Sequence, residues 1–220
     1  MWIEIANLRK NGFIPRTIID IGAHRGEWSK QVSRIFPKAR LYLIEADPTQ
    51  NSTLTEVARE LEGSTAYIQA LVGADSATDV PYFLMGSGSS VLSEKTTFPR
   101  TRIALPMTTV DALLGAVDLT PAIFMKLDVQ GYELEVLRGS SNTLRHVEVV
   151  LMEVSLLEYN EGAPLLAEVV LFMKSIRFVA FDICGGLRRQ SDGALFQMDV
   201  IFVREDSFLR SPKKFWNTEP

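Results

Sequence analysis

The sequence predicts an α/β fold with a mostly parallel sheet and helices on both of its faces. Short runs of β-branched and aromatic residues alternate along the chain with segments whose apolar residues recur at helical spacing. Strands that alternate with helices pair in parallel, because each crossover helix packs back onto the sheet. The 220 residues, 46% of them hydrophobic, are enough for a core of their own.

The predicted organisation is a single domain over residues 1–220. We expect a short amphipathic helix over 2–11, a core over 15–203 and a polar tail over 204–220 that frays after Phe208.

The first half of the chain alternates strand and helix. Thr17–Ile21 is β-branched apart from one acid and predicts a strand buried on both faces, and from Glu27 the apolar residues fall at helical spacing. Arg40–Ala46 is a second apolar run, and Pro48 opens a helix with an apolar stripe. Further strands are predicted at Ser64–Leu71 and Val80–Leu84.

The second half begins with an irregular segment, Met85–Arg102, which is rich in Gly, Ser and charge and predicts a functional or mobile loop. Helices are then predicted at Thr109–Leu114, Gly131–Arg138 and Leu165–Ser175. Strands are predicted at Ala122–Asp128, His146–Val154, Phe178–Ile183 and Leu195–Val203. Only a turn-rich loop separates the last two strands, so we expect them to pair antiparallel.

The turn after the first strand has the composition of a cofactor cradle. Gly22 and Gly26 lie between a buried strand and a helix N-terminus, where backbone N–H groups approach a ligand closely. Ligands of parallel sheets bind beyond the carboxyl ends of the strands, and Asp20, Glu45 and Asp128 lie at such ends. Glu45 follows Gly26 by 19 residues, a spacing that suits an acid binding a ribose.

The same turn disfavours a dinucleotide. A pyrophosphate needs G-x-G-x-x-G, whereas this chain has G-A-H-R-G, with His24 at the position that must be small. Asp20 repels phosphate but suits the ammonium and sulfonium charges of S-adenosylmethionine. A tight turn without any ligand remains the alternative at this point.

Further motifs resemble one family. The stretches DVQGYELEVLRG (Asp128–Gly139), VDALL (Val110–Leu114) and DIGAHRG (Asp20–Gly26) are similar to those of FkbM-family methyltransferases, as are EADPTQ (Glu45–Gln50) and GSGSSVLSE (Gly86–Glu94). The resemblance covers about Pro15 to Val203, with two departures: His24 stands where Asn is common, and Gln130 where Glu is common.

This resemblance implies a class I, Rossmann-like methyltransferase fold with a seven-stranded sheet and S-adenosylmethionine as cofactor. It also implies methyl transfer to a hydroxyl of a sugar, a polyketide or another small metabolite or glycan. We expect the cofactor to be bound by Asp20, Gly22, Ala23, His24, Gly26, Glu45, Ala46, Ala70 and Asp128.

The chemistry is expected at Asp128 and Glu153. Both residues end neighbouring strands, about 5 Å apart across the sheet, where a carboxylate or a carboxylate-bound Mg²⁺ assists loss of the hydroxyl proton. A salt-bridged or helix-capping Glu153 is the alternative. Ser89, Ser90 and Gln130 are the expected substrate-binding residues.

Composition limits the partners. A net charge of −4 and a pI of about 5.3 argue against nucleic acid, and the N-terminus reads neither as a signal peptide nor as a membrane span. A single cysteine fits a cytoplasmic location. An NAD-dependent oxidoreductase, a non-catalytic binding module, and a nitrogen or protein methyltransferase are the competing functions.

Overall fold

The computed structural model describes residues 1–61, 65–117 and 119–211. Its strands are β1 (Thr17–Ile21), β2 (Arg40–Glu45), β3 (Thr65–Gln69), β4 (Leu71–Val72), β5 (Ala77–Leu84), β6 (Thr101–Thr108), β7 (Ile123–Leu127), β8 (Val147–Ser155), β9 (Phe178–Arg188) and β10 (Leu195–Arg204). Its α-helices are α1 (Trp2–Lys10), α2 (Glu27–Ile35), α3 (Asn51–Glu60), α4 (Val110–Leu114), α5 (Glu133–Arg138) and α6 (Leu166–Ser175).

The main sheet has seven strands in the order β3-β2-β1-β7-β8-β10-β9. Neighbouring strands from β3 to β8 pair in parallel, whereas β10 pairs antiparallel with both β8 and β9. The predicted seven-stranded sheet with an antiparallel final strand is therefore confirmed. The chain passes from β1 to β2 on one side and later adds β7 on the other side of β1, so the strand order reverses at β1. Such a reversal opens a crevice at the carboxyl ends of these strands.

The sheet is covered on both faces, as the sequence predicts. On one face Ile19, Met125 and Val150 pack against residues of α4, α5 and α6. On the other face Ile18 and Phe124 pack against residues of α1, α2 and α3. The central strands β1 and β7 are buried along their whole length because apolar residues occupy most successive positions rather than alternate ones.

A second, three-stranded sheet in the order β4-β6-β5 was only partly predicted. The predicted strand Ser64–Leu71 is two strands, since the chain leaves the main sheet after Gln69 and joins the second sheet at Leu71. The expected irregular segment Met85–Arg102 is too long, because β6 begins at Thr101. The β6 strand was missed altogether.

The remaining differences are at the ends of elements. Pro48–Gln50 is a turn of 3₁₀-helix before α3, and α5 begins at Glu133 rather than at Gly131. The expected fraying after Phe208 is wrong for the next residues, since Phe208–Arg210 form a 3₁₀ turn that buries Leu209. The end of the predicted tail, 212–220, lies outside the described residues. Among the residues described, no helix has the length and apolar character needed to span a bilayer.

Candidate active site

The turn between β1 and α2 packs tightly against the end of β7. Gly22 has a φ of +76°, and a Cβ at this position would lie 1.9 Å from the carbonyl oxygen of Asp128. Only glycine permits both the positive φ and this approach. The N–H groups of Gly22 and Ala23 both bond to the carbonyl of Ile44, which ties the turn to β2. The turn is therefore fixed at the mouth of the crevice.

A cleft with a volume of about 120 Å³ lies at the carboxyl ends of β1, β2 and β7. Seven of the predicted site residues line it: Gly22, His24, Glu45, Ala46, Ala70, Ser89 and Asp128. Six others do not line it: Asp20, Ala23, Gly26, Ser90, Gln130 and Glu153. The sequence thus located the cleft, but several expected contacts are supporting residues instead.

Glu45 is held at the end of β2 by two backbone N–H groups. His24 donates to Oε2 at 2.7 Å and Asp47 donates to Oε1 at 2.8 Å. Burial raises the pKa of Glu45, while the N–H groups of Asp47 and His24 oppose the rise. Each oxygen of a carboxylate has two lone pairs, so each still has one to accept a ligand hydroxyl. The side chain is thus preorganised for a bidentate interaction with a diol.

The rest of the cleft is apolar or hydroxyl-bearing. Its walls include residues that the sequence did not single out: Ile21, Ile44, Leu71, Val72, Tyr82, Val91, Val129 and Tyr132. Tyr132 lies inside the DVQGYELEVLRG stretch, so that motif contained a signal for it; Tyr82 lies on β5 and had none. Among the described residues that line the cleft there is no Lys or Arg, and both of its charged side chains are acids, Glu45 and Asp128.

Asp20 was expected to contact the cofactor, but the structure places it beneath the turn. It is 1% exposed, and its Oδ2 accepts a hydrogen bond from Ser29 at 2.7 Å. Lys126, its neighbour on β7, lies 3.1 Å from Oδ1 and also donates to the carbonyl of Gly22 at 2.9 Å. Asp20 therefore neutralises the lysine that supports the turn, and any effect on a ligand is indirect.

Asp128 and Glu153 are brought together at the ends of β7 and β8, as expected. One side-chain nitrogen, Gln130 Nε2, donates to Asp128 Oδ1 at 2.9 Å and to Glu153 Oε2 at 2.8 Å. A second amide, that of Gln197 on β10, donates to the same Oε2 at 2.9 Å. Asp128 is the more accessible acid, with 38% of its side chain exposed.

The electrostatics around Glu153 favour its protonated form. Burial raises its pKa well above the ordinary value, and the nearby Asp128, Glu133 and Asp199 raise it further. Asp199 lies directly opposite Glu153 on β10, and burial followed by the charge of Asp128 raises its pKa to about 6. Lys126 acts in the opposite sense on both acids but also interacts with Asp20 and Asp128. This end of the sheet is thus an acid cluster in which burial and the neighbouring negative charges raise the pKa of both Glu153 and Asp199.

Ser89 and Ser90 have different positions. Ser89 lines the cleft and its Oγ accepts a hydrogen bond from the N–H of Met85 at 2.8 Å. Ser90 is 1% exposed, and its Oγ donates to the carbonyl of Gln130 at 2.9 Å. Ser90 therefore holds the Gln130 turn in place rather than a substrate.

A metal site is not supported by the arrangement of side chains. Over 1–61, 65–117 and 119–211, no group of three or more His, Cys, Asp or Glu side chains is placed to hold a metal ion.

Comparison with family models decides the assignment. The model of the methyltransferase FkbM domain matches residues 20–180, which is most of the chain. The chain belongs to the FkbM methyltransferase family. It is therefore a member of an S-adenosylmethionine-dependent methyltransferase family, as its motifs implied.

Solved structures agree on the fold of this FkbM chain. It is similar to a methyltransferase FkbM from Methylobacillus flagellatus KT, with a TM-score of 0.56 and 16% identity over 84% of this chain and 43% of that one. It therefore spans less than half of that relative.

Two further neighbours cover more of their own length. Precorrin-6y C5,15-methyltransferase from Geobacter metallireducens GS-15 has a TM-score of 0.52 and 11% identity over 92% of this chain and 86% of that one. Magnesium protoporphyrin IX methyltransferase from Synechocystis PCC 6803, solved with bound S-adenosylmethionine, has a TM-score of 0.51 and 10% identity over 92% and 76%. No curated protein matches. Since the acceptors named for these neighbours differ, the shared fold does not specify the acceptor.

Proposed function

We propose that this FkbM methyltransferase transfers a methyl group from S-adenosylmethionine to a hydroxyl oxygen of a small metabolite, sugar or glycan. The observation that supports this proposal best is the pair of carboxylates, Asp128 and Glu153, which one amide joins and of which Asp128 lines the cleft. An alcohol must lose its proton when its oxygen is alkylated, so a proton acceptor is needed there.

The residues of the cleft fit the cofactor. Glu45, already oriented by two N–H groups, would accept both ribose hydroxyls, and the apolar walls around Ala46, Ala70 and Leu71 suit an adenine ring. Asp128 offers an exposed carboxylate to a positively charged group. The described lining offers no Lys or Arg to pair with the pyrophosphate of NAD, and its two carboxylates, Glu45 and Asp128, would repel it.

When bound, S-adenosylmethionine supplies a methyl carbon that bonds to the acceptor oxygen while the S–CH₃ electron pair stays on sulfur and the hydroxyl proton passes to a base. In this proposal Asp128 orients the hydroxyl beside the cleft, and the ionised form of Glu153 receives the proton. No metal ion is part of the proposal. For the acceptor, the proposal names a chemical class, a small molecule that bears a hydroxyl group.

The test is a methyl-transfer screen with methyl-labelled S-adenosylmethionine against sugars, glycosides, glycolipids and polyketides, each with and without EDTA. We expect labelled methyl ethers, formed equally in both conditions. The matched controls are Asp128→Asn, which removes one carboxylate, and Asp79→Asn, which makes the same change at an exposed residue of β5. Label recovered only on nitrogen or on protein side chains would contradict the O-methylation proposal.

A further inference from the structure

Two glutamines surround Glu153 in a way that the proposed function does not require by itself. Gln197 is only 4% exposed although it is polar, and it lies diagonally from Glu153 across the antiparallel β8–β10 pair. Its Nε2 and that of Gln130 both donate to Glu153 Oε2, at 2.9 and 2.8 Å. Within the described chain no hydrogen bond reaches Oε1 of Glu153, so the carboxylate is bonded on one oxygen alone.

The backbone that positions the Gln130 side chain has a strained conformation. Gln130 has a φ of +56° and Gly131 a φ of +95°, so a non-glycine residue occupies the left-handed region. Three contacts fix this turn: Ser90 Oγ donates to the carbonyl of Gln130, and Glu133 Oε1 accepts from the N–H groups of Val129 and Gly131 at 3.0 and 3.1 Å. Strain retained by this many contacts, beside two acids, indicates that the orientation of the amide matters.

We propose that Gln130 and Gln197 are positioning residues that orient the base of this reaction. Their amides saturate Glu153 Oε2, which leaves Oε1 as the atom that takes the hydroxyl proton. The second N–H of the Gln130 amide donates to Asp128 Oδ1. The same amide therefore fixes the separation between Asp128, which orients the hydroxyl, and Glu153, which receives its proton. A glutamate at position 130 would instead add a third negative charge between them. The inference rests on the proposed function.

The first experiment needs no acceptor. The protein is labelled with carboxyl-¹³C glutamate, and the Glu153 signal is assigned by its loss in Glu153→Gln. In Gln197→Met and Gln130→Met the titration midpoint of Glu153 should move to higher pH, because N–H donors that stabilise the carboxylate are removed. Gln50→Met is the matched control, since Gln50 is also buried, at 9% exposure, but its amide donates to Thr49 Oγ1 instead of to Glu153. An unchanged midpoint in both variants would overturn the inference.

The second experiment uses an acceptor from the methyl-transfer screen. At pH values below the rise in the wild-type activity profile, kcat of Gln197→Met should be roughly tenfold lower than that of the wild type, the scale for losing a hydrogen bond to a charged group. It should recover at higher pH, where the shifted carboxyl is again ionised, with KM for S-adenosylmethionine unchanged. A loss of the same size at every pH would mean that Gln197 is merely structural, and would overturn the inference. Failure of the wild type to methylate any hydroxyl would count against the proposed function, and the titration would still decide whether the amides hold Glu153. Gln130→Met, a less buried site, repeats the test if Gln197→Met does not fold.

Discussion

Lys126 and Asp20 form a buried ion pair across β7 and β1, with 3.1 Å between Nζ and Oδ1. Burial alone would lower the pKa of Lys126, but the charges of Asp20 and Asp128 raise it above its ordinary value. The lysine therefore stays charged beneath the turn between β1 and α2, where it also donates to the carbonyl of Gly22.

Breaking this pair should destabilise the fold strongly. Lys126→Met leaves Asp20 buried without its counter-charge, so we expect the free energy of unfolding to fall by about 3–5 kcal/mol. The matched control is Lys30→Met, which breaks an exposed pair with Glu60 of 2.6 Å, for which a loss below about 1 kcal/mol is expected. Urea unfolding of both variants measures the difference, and similar losses would contradict the role assigned to Lys126.

A second prediction concerns the pH dependence of stability. Burial raises the pKa of Glu133 to about 7, although its own N–H and those of Gly131 and Val129 oppose the rise. The native state thus keeps a proton that the unfolded chain loses near the ordinary pKa of 4.5. Protonated Glu133 therefore stabilises the folded state at pH values below 4.5, and this stabilisation is lost as the pH rises to about 7.

Glu133→Gln should remove this loss of stability with rising pH, because the amide oxygen still accepts hydrogen bonds from both N–H groups but the amide does not ionise. Between about pH 5 and about pH 8 the wild type should lose up to roughly 3 kcal/mol relative to the variant, by the conversion of pKa shifts to free energy. Chemical unfolding at the two pH values measures it. A constant difference between the two proteins would show that Glu133 ionises normally in the native state.

The sequence predicted which acids lie at the carboxyl ends of the parallel strands. Asp20, Glu45 and Asp128 were located at the carboxyl ends because each ends or interrupts an apolar run, a local pattern. The β6 strand was missed because it begins at the end of the segment whose Gly, Ser and charged residues predicted a loop, and it contains Pro106, a residue uncommon in central strands. Pro106 is tolerated there because the β5 register shifts between Ala77 and Val80, and β4 pairs only from Met107 onward.

The side-chain network around Glu153 was beyond the sequence for a different reason. Gln130 reads as a residue that faces substrate, and only its positive φ turns its amide back onto Asp128 and Glu153. Gln197 follows 44 residues after Glu153 and reaches it through the antiparallel pairing of β10. Contacts of this kind depend on register and backbone conformation, which residue spacing does not encode.

A third prediction separates chemistry from binding. Asp128→Asn keeps the shape of the side chain and removes its charge, so kcat at saturating cofactor and acceptor should fall roughly 10²-fold, because the hydroxyl is no longer oriented for transfer of its proton to Glu153. Asp79→Asn should leave kcat unchanged. The rate of methyl transfer to an acceptor from the screen measures this. Near-normal turnover of Asp128→Asn would restrict Asp128 to shaping the cleft and leave Glu153 as the leading acid.

The most direct test of the account is calorimetric binding of S-adenosylmethionine, S-adenosylhomocysteine and NAD to the same protein. We predict that the first two bind and that NAD does not. Glu45→Ala should weaken the binding of S-adenosylmethionine by about 1.5–3 kcal/mol, the scale for losing a charged hydrogen-bonding partner. Glu56→Ala, the same change at an exposed residue of α3, should have no effect. Tighter binding of NAD than of S-adenosylmethionine, or an unchanged dissociation constant in Glu45→Ala, would contradict the assignment of this cleft.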